Sequence, residues 1–309
     1  MKIAGAAGAG MVVLGPAGCK SGFSRTMGKE GKFALRTPKV SLNGILTATG
    51  DDPAVMTRAA ITAVGGMEKF VKKGATVVIK PNIAFVGKPE NAATTNPHVV
   101  AELVRLCRGA GASKVLVFDR TCNDARRTYK QSGIEEAAAR AGAQVKYVTD
   151  DDFVEMRIPK GKVLTSWWLN KDILAADVFI NVPIAKHHGS TGLTLGMKNL
   201  MGCAGGERGS WHVGFLDQRI ADINTALRPD LVVLDAYRIL VDHGPTGGSL
   251  DDVKKARTVA IGTDVVAMDS YATTLFGKKP SDVKYIAYAN KLGLGKMDLK
   301  DIRMSEITT

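Results

Sequence analysis

Hydrophobic positions along the chain fall into two alternating patterns. Short, β-prone apolar runs are separated by longer stretches in which apolar residues recur at helical spacing. Residues 76–80 (TVVIK), 114–118 (KVLVF), 178–182 (VFINV), 230–235 (DLVVLD) and 258–261 read as buried strands, joined by strands over 40–47 and 144–148. Helices are expected over 54–72, 97–111, 125–142 and 217–227, with another opening at Asp264 and a helical tail from Asp282 that gives way to a short amphipathic end. Asp51-Asp52-Pro53 and Pro97 are start signals, because proline fits the first helical turn and aspartate caps it. Residues 157–174 are less regular and accommodate a hairpin or a small insertion. Strands alternating with helices predict an α/β fold: a largely parallel sheet with helices on both faces, in Rossmann-like layers.

One stretch, 176–206, concentrates the chemistry. It opens as the 178–182 strand, which Pro183 is expected to end. Lys186, His187 and His188 follow, then a glycine-spaced loop, then Lys198 and Asn199. Ligands of open α/β sheets bind in the crevice beyond the carboxyl ends of the strands. Polar groups also stand at the other expected strand ends: Lys80, Asn82, Asp119 and Asp235. Lys80, held by Pro81, can grip a phosphate or carboxylate as a point charge or pair with a neighbouring acid. His188 is a candidate proton shuttle because imidazole titrates near neutrality. With Lys186 and Lys198 it forms the candidate catalytic set. Lys198 is a candidate base or covalent group if burial lowers its pKa. Gly192 and Gly196 let backbone approach a ligand; with Lys80, Asn82, Lys198, Asn199 and Asp235 they form the candidate cofactor-binding set. His187, His188 and His212 are candidate metal ligands. Residues 205–214 (GGERGSWHVG) are expected to be a mobile lid able to bring Arg208, Trp211 and His212 over the site. Asp264 and Asp269 flank a helix start, and Asp264 is read as its cap. The absence of any G-x-G-x-x-G or Walker pattern argues against a standard dinucleotide or P-loop site.

Charge changes the picture less than its size implies. The formal net charge is +12, but half of it lies in the first 40 residues, where seven basic side chains face Glu30 alone. Aromatics are 6% of the chain and no basic stripe is interleaved with them, which argues against nucleic-acid binding. Residues 1–18 are small and apolar after one lysine, and Cys19 and a basic segment follow. This predicts an export signal, with Cys19 as a lipidated first residue of the mature chain. No arginine pair precedes it, and Pro16 stands where a lipobox prefers leucine; a cytoplasmic chain is the alternative. Nothing later forms an apolar run of the roughly 18–20 residues that a spanning helix needs, so membrane contact is expected only through Cys19. At 309 residues and 45% hydrophobic, the chain can bury a substantial core. It divides into the export signal and basic linker, 1–39, and an α/β unit, 40–309, which lobes over 40–155 and 156–309 would also satisfy. Cys107 reads as a core residue, while Cys122 and Cys203 are either reactive thiols or a long-range disulfide.

Five pieces in order resemble the family called domain of unknown function 362. They are Ile79-Lys80-Pro81-Asn82; Val182-Pro183 with Lys186 and His188; Thr194-Leu195 with Lys198-Asn199-Leu200 and Gly202; Gly244-Pro245 with Gly248; and Asp264 to Asp269. The resemblance spans about 40–300 and implies an α/β protein that is often exported. Some members carry an iron–sulfur ferredoxin domain, so an iron–sulfur redox partner is implied. His187 departs from the small or hydroxyl residue usual there. A second, local resemblance links His188, Gly192, Gly196 and Lys198 (H-x-x-x-G-x-x-x-G-x-K) to nickel-pincer lactate racemases. It implies His188 as proton-transfer base, Lys198 as cofactor anchor, His212 as a nickel ligand and a nickel- or iron-containing cofactor. Met197 stands where the racemases carry arginine. The expected function is therefore binding of an anionic small molecule, or a metal or organic redox cofactor, at the strand ends, as an oxidoreductase or isomerase. The alternative is a non-catalytic binder.

Overall fold

The computed structural model describes residues 33–309. The expected export signal, Cys19 and most of the basic arm lie outside the described residues.

In chain order the elements are β1 (Ile45–Thr49), α1 (Pro53–Ala63), β2 (Thr76–Pro81), α2 (Pro97–Gly109), β3 (Lys114–Val117), α3 (Ala125–Gln131), α4 (Ile134–Arg140), β4 (Gln144–Val145), β5 (Phe153–Arg157), β6 (Ser166–Asn170), α5 (Lys171–Ala175) and β7 (Val178–Val182). There follow β8 (Ile184–His188), β9 (Gly192–Thr194), α6 (Gly196–Asn199), α7 (Leu216–Ala226), β10 (Leu231–Leu240), β11 (Val253–Gly262), α8 (Val265–Thr274), α9 (Lys284–Lys291) and β12 (Met304–Thr308). The main sheet runs β12-β1-β11-β10-β7-β2-β3-β4. From β10 through β7, β2 and β3 to β4 every pairing is parallel, whereas β11 is antiparallel to both β1 and β10. The fold is thus the expected α/β class, with a mostly parallel sheet.

Alternation along the strands sorts the core into two layers, as a two-residue side-chain period requires. Val78, Leu116, Phe179, Val232 and Leu234 face one layer, with Met197, Ile220, Val266 and Ile286 from α6 to α9. Val77, Ile79, Val115, Ile180 and Val233 face the other, with Ile61, Leu103 and Ile134 from α1, α2 and α4. Both faces are therefore covered, and the strands read as continuous apolar runs.

Several boundaries differ from the sequence expectation. α1 stops at Ala63 because Gly65 and Gly66 both adopt positive φ. The helix expected over 125–142 is broken into α3 and α4 at Gly133, whose φ of 70° belongs to the left-handed region. The irregular 157–174 segment contributes to the β5–β6 antiparallel hairpin. Pro183 ends β7, but the chain resumes at once as β8, parallel to β10 and antiparallel to β9. Lys186, His187 and His188 are thus strand residues and not loop residues. The tail ends as β12, which pairs parallel to β1.

Candidate functional site

The carboxyl ends of β2 and β3, together with β8, β9, α6 and the turn over Arg208–His212, enclose a cavity of about 130 Å³. That is well below the roughly 300–1,000 Å³ typical of drug-sized ligand sites, so it suits a ligand of a few heavy atoms. Lys80, Asn82, Lys186, His188, Lys198 and Asn199 all line it, and Arg208 and His212 close it from the side. The strand period explains which members of the Lys-His-His triplet arrive. Lys186 and His188 are two apart on β8 and face the cavity; His187 between them turns away, and its Nδ1 accepts from Gly244 N at 3.1 Å.

A buried polar network fixes the floor. Lys80 pairs with Asp119 at 2.9 Å, and its Nζ donates to Asn199 Oδ1 at 2.7 Å. Asn82 Nδ2 donates to the same oxygen at 3.1 Å, while Asn82 Oδ1 accepts from Lys186 Nζ at 3.3 Å. Asn199 Nδ2 donates to Asn181 Oδ1 at 2.8 Å, and Asn181 Nδ2 donates to Gly196 O at 2.9 Å. Asn181 and Lys80 are register partners on β7 and β2, on the face that α6 covers. Asp269 holds the start of α6 by accepting from Gly196 N at 2.7 Å and Met197 N at 2.9 Å. Asp264 caps α8 through Ala267 N at 2.9 Å. Both aspartates are therefore helix caps.

Lys198 differs from its neighbours. Its ammonium is buried, 8% exposed as a residue, yet among the described residues its one hydrogen-bond acceptor is Met201 Sδ at 3.6 Å. Thioether sulfur is a weak acceptor. Thr194 Oγ1, also on the cavity wall, is buried without a hydrogen-bond partner among the described residues. Among the described residues five cationic side chains line the cavity (Lys80, Arg120, Lys186, Lys198, Arg208) against the single carboxylate of Asp119. Burial pushes Lys198 down to about 8 and, with repulsion from Lys198, Lys186 down to about 7. Burial, then the charge of Lys198, takes His188 down to about 3, so its ring is neutral. Its Nδ1 accepts from Ser190 N at 3.1 Å, which leaves the proton on Nε2 and makes His188 a donor to any bound group.

The other expected residues lie elsewhere or do something else. Asp235 is buried inside β10, accepting from Asn96 N at 2.7 Å and Tyr237 N at 3.1 Å. Gly192 is not among the lining residues, and its φ of 74° serves the β8–β9 turn. Gly196 is the first residue of α6 and faces its cap, so that a Cβ there would come within 2.7 Å of Asp269 Oδ1. Trp211 does not cover the cavity; it is fully buried, edge-on to Trp167 at 5.3 Å, and anchors the turn that presents Arg208 and His212. Arg208 itself donates to Met201 O at 2.9 Å and Thr121 O at 2.9 Å. Cys107, Cys122 and Cys203 are all free, so no Cys122–Cys203 disulfide forms. Asn181, Thr194 and Phe85 were not foreseen. Asn181 carried a signal as the one polar residue in an apolar strand, and Thr194 one as part of the Thr194-Leu195 piece of the family resemblance.

The expected metal ligands His187, His188 and His212 do not come together as a set of three. The His188 and His212 rings lie 6.1 Å apart, His187 faces the opposite side, and Asp119 is engaged with Lys80. Among the described residues no group of three or more His, Cys, Asp or Glu side chains is placed to hold a metal.

An α/β protein with a cationic strand-end cavity is the class that fold and site define. The chain belongs to the family Domain of unknown function (DUF362), whose profile matches residues 77–274. It is 29% identical over 254 residues to the thylakoid-associated protein sll1697 of Synechocystis sp., covering 77% of this chain and 74% of that protein. A crystal structure of a protein from Thermotoga maritima is similar at a TM-score of 0.45 and 12% identity, over 74% of this chain and 60% of that one.

Proposed function

We propose that this protein binds a small oxyanion-bearing molecule, a carboxylate or a phosphate, in the cavity floored by Lys80, Lys186 and Lys198. The observation that carries this reading is Lys198, a buried ammonium with a thioether as its acceptor. A buried charge without a counter-ion is costly, and a bound anion supplies the missing partner. The surplus of cations and the neutral His188 donor support the same polarity. The test is thermal unfolding of the full chain at constant ionic strength with added oxalate, phosphate or lactate. The midpoint is expected to rise with anion concentration, since a ligand that binds only the folded state stabilises it. Lys198→Met should abolish the rise. An equal rise in that variant, or none in either protein, overturns the proposal.

We further propose that the protein works in the cell envelope or against a membrane. The apolar start of the chain and the thylakoid-associated name of its Synechocystis relative support this. Among the described residues no helix is long and apolar enough to cross a membrane, so attachment would be peripheral or through Cys19. Fractionation of the native host, with the intact mass of the purified chain, tests it. A cytoplasmic chain still beginning at Met1 is the contrary result.

A further inference from the structure

We propose that Lys198 is a carbonyl-capturing nucleophile, whose amine condenses with the keto or aldehyde carbon of a small anionic ligand, a 2-oxo acid, to form an imine. This rests on the anion-site reading and adds the bond that the site makes.

Of the three lysines at the cavity, two are engaged. Lys80 is held by Asp119 at 2.9 Å and Asn199 at 2.7 Å. Lys186 donates to Ala93 O and to Asn82 Oδ1, and lies 5.1 Å over the Phe85 ring. A reacting amine there would have to leave good acceptors behind. Lys198 leaves only a thioether. Its backbone is nevertheless fixed, because Asp269 caps α6 and Asn224 Nδ2 donates to Met197 O at 3.1 Å. The amine is therefore placed by the fold and not consumed by it.

An amine attacks a carbonyl only when unprotonated, and lysines buried beside other cations meet that condition near neutral pH. Burial lowers Lys198 to about 8, with Arg208 and Lys80 pushing the same way. In the step, the Nζ lone pair forms the C–N bond while the carbonyl π pair moves onto oxygen. The nitrogen gives up a proton and that oxygen takes one up, which makes the carbinolamine; a second proton then passes from nitrogen to the hydroxyl, and water departs as the C=N bond forms. Amine plus carbonyl becomes imine plus water, with no oxidant or reductant consumed. His188, protonated on Nε2, and Lys186 line the same cavity as donors for the departing oxygen. Arg120 and Arg208 supply charge for the carboxylate, and a volume of about 130 Å³ favours the shortest 2-oxo acids.

The experiment incubates the full chain with pyruvate or glyoxylate and sodium cyanoborohydride, followed by intact mass and peptide mapping. Calorimetry with oxalate runs in parallel, since oxalate carries the charge but cannot condense. One adduct per chain is expected, adding the mass of the ligand less one oxygen and mapping to Lys198. Excess oxalate should block it. Lys198→Arg, which keeps the charge, should lose the adduct and still bind oxalate; if that variant does not fold, the oxalate competition in the unaltered chain carries the test. Oxalate binding with no adduct, or with adducts on Lys186 or scattered over surface lysines, overturns the imine and leaves the anion site standing. Absence of both binding and adduct overturns both.

Discussion

Asn199 accepts a 2.7 Å hydrogen bond from Lys80, although 119 positions separate them in the chain. The bond ties the short helix α6 to the end of β2. Asn199 also accepts from Asn82 and donates to Asn181, so a single amide joins three strand-end side chains. Removing it takes an acceptor from the buried Lys80 and Asn82 donors, at about 1–3 kcal/mol each. Asn199→Ala is expected to lower the urea midpoint by that order, more than an alanine at exposed Lys284. Equal midpoints for the two variants would show that the network adds nothing.

Gly202 makes the Lys80–Asp119 pair geometrically possible. A Cβ there would stand 2.6 Å from Lys80 Cε and 2.8 Å from Nζ, and would collide with Asp119 Oδ1. Nothing flexible and peripheral can give way, since both partners are buried. Gly202→Ala should therefore prise the pair apart. Breaking a buried pair costs about 3–5 kcal/mol when a charge is left alone, and overpacking adds to that. Denaturant titration reads the loss. A change below about 0.5 kcal/mol, ordinary for surface positions, would mean that the ion pair relocates without strain.

Much of this was legible in the sequence, for identifiable reasons. The runs that became β2, β3 and β7 are apolar on both faces, and only a doubly covered parallel sheet asks for that. Lys80, Lys186, His188 and Lys198 could be grouped because strand ends converge on one edge of such a sheet. What failed depended on pairing across the chain. Pro183 reads as a stop, and it does end β7, but β10 and β9 recruit the next five residues into β8. Once those residues are a strand, His187 must point away from His188, which a loop reading cannot tell. Asp235 looked terminal because β10 was expected to end there; β10 runs on to Leu240 against β11, which leaves that carboxylate buried mid-strand. β12 falls in what reads only as a short amphipathic end after the helical tail, and its strand form comes from its partner β1.

Cys122 reports on the cavity. It is exposed and lies on the cavity wall, with Arg208 Nη2 3.7 Å from its sulfur, whereas Cys107 and Cys203 are buried. A disulfide-exchange reagent should therefore modify Cys122 in the native chain and leave Cys107 and Cys203 until denaturant is added. Oxalate or phosphate bound nearby should slow the reaction several-fold. Peptide mapping of the labelled thiols checks the first point, and labelling rates with and without anion the second. Prompt labelling of Cys203 would contradict its burial.

The two lysines with lowered pKa give the ligand-free protein a pH signature whose sign follows from linkage. Lys198 falls to about 8 and Lys186 to about 7 in the folded chain, from 10.5. Between those values and 10.5 the unfolded chain binds more protons, so stability rises with pH. Below about pH 7 both are protonated in both states, and the full burden of burying them is felt. The rise has an upper limit, because burial lifts the Cys203 thiol from 9.0 to about 12. From pH 9 upward the unfolded chain sheds that proton first, which works in the opposite direction. At the lower end the buried Asp269 carboxyl, lifted from 3.8 to about 7, also opposes the rise, so the clean window is pH 8 to 9, in which the urea midpoint is expected to climb. Lys198→Met should lift the midpoint at pH 7, by on the order of 1–3 kcal/mol, and flatten the climb. Anion affinity should move oppositely, weakening across the window as the ammonium that holds the ligand loses its proton. A midpoint that is flat or falling from pH 8 to 9 would mean that Lys186 and Lys198 keep their ordinary charge in the folded protein.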